Sequence, residues 1–88
     1  MIKKVLDVIE SYLDGKYEED KNYPFYLELE TEFLFNNYDA MYKENKEVTE
    51  LLNEEIPDIC AAVGKIDIKE FKRLLRIEFL KAKELYNK

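Results

Sequence analysis

The sequence predicts an all-α fold, a small antiparallel four-helix bundle in one domain over residues 1–88, and three observations carry that expectation. Gly and Pro number only two each, so few positions interrupt regular structure. Val, Ile and Thr are thin and scattered, and no stretch alternates apolar and polar residues as a half-buried strand does. Apolar residues recur instead three and four positions apart, the period of a helix with one buried side. At 47% hydrophobic and 14% aromatic residues the chain is too apolar for disorder despite 39% charged residues.

The first helix is written by Ile2, Val5, Leu6, Ile9 and Leu13, and Asp14-Gly15 stops it where glycine can adopt the left-handed cap. Residues 16–23 form a charged connector, and Pro24 suits the first turn of a second helix running from Phe25 to about Glu44. That helix carries two apolar faces: Leu27, Leu34, Phe35, Tyr38, Met41 and Tyr42 on one, Tyr26, Leu29, Phe33 and Ala40 on the other. A third helix, from about Glu47 to Val63, points Val48, Leu52, Ile56, Ile59 and Val63 inward. Pro57 removes a backbone donor there, so the helix either kinks near residues 53–56 or restarts at Pro57, and Gly64 closes it. The last helix has the plainest start: Asp67 as N-cap, Glu70 as its capping-box partner and Ile66 stapled to Phe71. Its inward set is Ile68, Phe71, Leu74, Leu75, Phe79, Ala82 and Tyr86. Lys69, Lys72, Arg73, Arg76 and Lys83 make a basic side.

Charge is unevenly distributed. Residues 18–58 hold thirteen acids against three lysines, a net of −10, whereas residues 67–88 hold seven cations against four acids, a net of +3. A formal charge of −6 argues against nucleic acid as partner, because phosphate recognition needs clustered Lys and Arg. It disfavours anionic lipid for the same reason. Asp7 and Glu10 interrupt the apolar run of the N-terminal segment, and no stretch approaches a membrane span, so a cytoplasmic protein is expected. A single cysteine, Cys60, makes no internal disulfide and reads as a packing residue.

Histidine is absent, which removes the usual general base and the commonest neutral metal ligand. No Glu-x-x-His pair for a bundle di-metal centre exists, and no calcium-loop pattern. The expectation is therefore a non-enzyme without metal or cofactor. Glu55 and Glu78 fall at or inside apolar arcs, where a carboxylate is either paired or functional. Paired is the simpler reading.

Two acidic stripes remain, Glu28-Glu32-Asp39 and Glu47-Glu50-Glu54-Asp58, flanked by tyrosines of which Tyr38 and Tyr42 are candidate anchors. Solvated faces that keep a bundle soluble would look similar. Concentration of the excess on ordered helices, beside a residue type enriched at interface hot spots, points to docking on a basic protein.

A short first helix closing in Tyr12-Leu13-Asp14-Gly15-Lys16, in an acidic helical chain of this length, resembles small bacterial immunity proteins of the colicin D immunity type. That resemblance implies a four-helix bundle that neutralises a tRNA-cleaving toxin domain by laying acidic residues into its basic cleft. It assigns no individual contact residue here, and residues 52–60 have no counterpart in the family. The sequence-level expectation is thus an immunity protein or antitoxin that binds a toxin or nuclease domain. A homodimer, buried through the two apolar faces of the second helix, is the alternative.

Overall fold

A computed structural model describes all of residues 1–88, and every regular element in it is helical. Helix α1 (Ile2–Leu13) buries Ile2, Val5, Leu6, Ile9, Tyr12 and Leu13. Its end is set by Gly15, whose φ of 76° is the one positive value in the chain. Gly15 N–H returns to the Tyr12 carbonyl at 3.1 Å and Lys16 N–H to the Ser11 carbonyl at 2.8 Å. These two bonds make the Schellman closure that a left-handed residue permits, and they satisfy carbonyls the helix would leave open.

After the connector come α2 (Phe25–Glu28), a seven-residue π-helical segment (Leu29–Phe35), α3 (Tyr38–Glu44), α4 (Lys46–Ala61) and α5 (Ile68–Tyr86). The predicted second helix is therefore divided, and the molecule has five α-helices where four were expected. Phe25, Leu29 and Leu34 are buried at steps of four and five, and the wide π turn keeps both steps on one side. Asn36 N–H reaches back five residues to the Thr31 carbonyl at 3.3 Å. Asn37 then leaves helical geometry, with φ −108° and ψ 8°, while its side-chain amide donates to the Phe33 carbonyl at 2.9 Å. Asparagine competes with helical backbone bonds in this way, so the Asn36-Asn37 pair breaks the arm.

Asn45 makes a second break. Its backbone is extended, φ −158° and ψ 103°, and its side chain caps α4 by accepting from Val48 N–H at 3.1 Å. Helix α4 runs through Pro57 without restarting. Gly64, expected to close it, follows the helix end without a positive φ, since the Ala62–Lys65 turn supplies the closure through Lys65 N–H to the Ala62 carbonyl at 2.8 Å. Asp67 caps α5 as expected, accepting from Glu70 N–H at 2.8 Å. The reciprocal half of the capping box is absent because the Glu70 carboxylate binds Arg73 Nε at 2.9 Å.

Helices α4 and α5 pack together along their lengths, with α1 on α5 and both α3 and the π segment on α4. Buried side chains from all of these, including Val48, Leu52, Ile56 and Ile59 on α4 and Phe71, Leu75, Phe79 and Ala82 on α5, form one core. An aromatic group locks its connector end: Tyr12 stacks on Phe25, Phe71 meets Tyr12 edge-on at 6.1 Å, and Tyr17 meets Phe25 at 5.0 Å. Ile68, expected inward, is 57% exposed because it occupies the first position of α5, beyond the reach of neighbouring helices. Leu74 and Tyr86 are half-buried. No helix is long and apolar enough to cross a membrane.

Candidate protein-docking site

On α4, residues Glu47, Glu50, Glu54 and Asp58 lie within roughly 80° of arc at ~100° per residue. That is the side opposite Val48, Leu52, Ile56 and Ile59. Glu47, Glu54 and Asp58 are exposed and enter no ion pair. Glu50, half-buried, has only Lys46 Nζ at 3.9 Å. The remaining ion pairs join Glu44 to the Met1 amine, Lys3 to Asp7, Arg73 to Glu70, Lys81 to Glu78 and Lys83 to Glu10. Three α5 cations, Arg73, Lys81 and Lys83, thus pair within their own helix or with α1. Lys72 also sits over the Tyr12 ring at 5.1 Å, and Arg76 donates to the Leu13 carbonyl at 3.5 Å.

Beside this stripe lies an open cleft of about 570 Å³, lined by Glu30, Leu34, Phe35 and Asn36 from the interrupted arm, Tyr38 and Asp39 from α3, and Asn53 and Pro57 from α4. Past Tyr38 and Asp39 it continues into a depression of about 410 Å³ bounded by Tyr42, Lys43 and Glu50. Tyr38 and Tyr42 are exposed, their rings stacked at 5.8 Å. Phe35 is 79% exposed, the most unusual placement in the molecule. An aromatic ring left in water at the edge of a concavity is a common mark of a protein contact. Asp39 is exposed and forms no ion pair, with Lys43 or any other cation.

Of the nine residues singled out from sequence, Asp39, Tyr38, Tyr42 and Glu50 meet around this concavity, and Glu47, Glu54 and Asp58 continue from it along α4. Glu28 and Glu32 do not line it. Glu28 accepts a close hydrogen bond from the Tyr17 hydroxyl. Glu32 accepts from Asn36 Nδ2 at 3.3 Å and from the Tyr23 hydroxyl at 3.4 Å, so both help hold the connector to the arm. Glu30, Leu34, Phe35, Asn36, Asn53 and Pro57, which also line the cleft, were missed. For Phe35 alone a signal was present: Phe33-Leu34-Phe35 is a run of three large apolar residues that one helix face cannot bury together.

Glu78 is buried at 8% exposure, with Lys81 Nζ 3.3 Å from Oε1 and no partner on Oε2. It is the paired carboxylate that was the simpler expectation. Glu55 is half-buried. The Cys60 thiol donates to the Tyr26 carbonyl at 3.7 Å; burial, and then the Glu30 carboxylate nearby, push its pKa well up, which makes the sulfur a poor nucleophile. No three acidic or thiol side chains approach closely enough to enclose a metal ion. Comparison of the chain with protein-family models, curated proteins and solved structures finds no match.

Proposed function

We propose that this is a non-catalytic inhibitory binding protein, an immunity protein or antitoxin of a bacterial cytoplasm, whose acidic helical face blocks the basic cleft of a toxin or nuclease domain. The observation that carries the reading is the state of Glu47, Glu54 and Asp58, exposed, aligned along α4 and unpaired, with Asp39 exposed and unpaired on α3, while the α5 cations Arg73, Lys81 and Lys83 pair with Glu70, Glu78 and Glu10 instead. Such carboxylates add nothing to folding and repel one another, yet their field attracts a cationic surface and speeds encounter with it. Stacked Tyr38 and Tyr42 beside them supply the apolar area that charge alone lacks.

The test is co-expression with the product of the adjacent reading frame, followed by affinity measurement at low and high ionic strength. Binding should weaken steeply with salt and disappear in the triple variant Glu47→Lys, Glu54→Lys, Asp58→Lys. An affinity indifferent to both changes ends the proposal. A second reading, self-association, is favoured by Phe35 at 79%, Leu80 at 54% and Ile77 at 39% exposure. Sedimentation at micromolar concentration separates the two, since a tight homodimer that covers the acidic face supports self-association instead.

A further inference from the structure

We propose that the cleft between the π-helical segment, α3 and α4 is an arginine pocket: a guanidinium of the basic partner enters it between Glu30 and Asp39 and lies against the aromatic rim. This rests on the docking reading above and names the chemistry of its anchor. Two cleft carboxylates, Glu30 and Asp39, face no cation of the chain within ion-pair range, and the volume of about 570 Å³ exceeds what a single side chain needs. Pro57 has no N–H to offer the Asn53 carbonyl, so an acceptor at the α4 wall lacks its ordinary helical donor. The side-chain amides of Asn36 and Asn53 add further acceptors. Tyr38 and Phe35 supply flat apolar surface.

That combination suits guanidinium better than ammonium. Arginine presents five donors in a planar fork, is weakly hydrated, and stacks on aromatic faces while its edges bind carboxylates. Lysine is a compact, strongly hydrated point charge that gains little from a ring beside it. The π-helical segment itself makes the pocket: it sends Leu34 into the core at 2% exposure and leaves its neighbour Phe35 at the rim. Such segments recur at functional positions.

The experiment is amide and side-chain NMR of the whole chain titrated with N-acetyl-arginine amide, N-acetyl-lysine amide and a short oligolysine. Arginine amide should shift Glu30, Phe35, Asn36, Tyr38, Asp39 and Asn53, with lysine amide several-fold weaker. Asp39→Asn should lose those shifts while retaining the helical circular dichroism of the parent. If oligolysine shifts Glu47, Glu54 and Asp58 while arginine amide leaves the cleft silent, the pocket is overturned and the electrostatic docking reading stands. If neither cationic probe perturbs either surface, both are overturned.

Discussion

Tyr12 of α1 lies flat on Phe25 of α2, ring centroids 4.0 Å apart and planes 7° from parallel. This contact fixes where the interrupted arm begins, and through the arm it sets the position of the cleft. Phe25 is fully buried, and its backbone N–H donates to Glu19 Oε2 at 2.7 Å. Phe25→Ala removes the stack, the edge contact with Tyr17 and the filling of the site. It should cost about 3–5 kcal/mol, a large part of the 5–15 kcal/mol typical of a small domain. Urea denaturation reads this directly, and a loss below about 1 kcal/mol would mean the connector end repacks freely.

Burial of Tyr12 also contributes to alkaline behaviour. Burial, with smaller contributions from Glu19 and Cys60, pushes the Tyr12 hydroxyl up to about 12 from 10.0. A folded-state pKa raised above the unfolded value contributes stability that is complete below the unfolded value and lost as pH rises through the folded one. The protein should therefore weaken between pH 10 and about 12, and Tyr12→Phe should blunt that alkaline loss. Denaturation midpoints measured across this range check it; identical profiles for parent and variant would sink the assignment.

Acid behaviour is set in part by Glu44, whose carboxylate accepts from Ile2 N–H at 3.2 Å and from the Tyr86 hydroxyl at 3.3 Å. The bond from the Ile2 backbone is the main cause holding its pKa below the ordinary glutamate range, with the Met1 amine and Tyr86 adding to it. A depressed folded pKa has the opposite sign: its stabilisation is full above the ordinary glutamate value and vanishes as pH falls through the lowered one. Glu44→Gln should lower stability near neutrality and flatten the acid limb. Midpoints measured down the acid range decide it.

The α4 stripe predicts a stability cost. Glu54 has like charges four residues away on either side, Glu50 and Asp58, and each such pair destabilises a helix by roughly 0.2–0.5 kcal/mol. Glu54→Gln should raise stability by about 0.5 kcal/mol at low salt, and the gain should fade as salt screens the repulsion. A destabilised variant would imply a partner for Glu54 within the monomer.

Helix starts offer an independent check. Asn45 and Asp67 each satisfy an otherwise open backbone donor, Val48 N–H and Glu70 N–H. Alanine at either position should cost about 1 kcal/mol. The pair should be additive if the two caps act independently. A double variant no worse than one single would show that the two caps are energetically coupled.

What the chain determines on its own is local. The buried stripe of α1, the Gly15 closure, the Asp67 cap and the acidic stripe of α4 follow from spacing and side-chain type within one or two turns. Histidine's absence likewise restricts the chemistry without any structure. The middle of the chain is different. Phe25–Glu44 has enough apolar residues to write a continuous two-faced helix, but only so many can reach a core shared with α1, α4 and α5. Tertiary packing took Phe25, Leu29, Leu34 and Met41 inward, drew the backbone into a π turn to do so, and left Phe35, Tyr38 and Tyr42 at the surface. Periodicity reports which residues would be buried if a neighbour were present, and the placement of neighbours is what the fold alone supplies. The cleft exists because that placement left more apolar side chains on one arm than three neighbouring helices could cover.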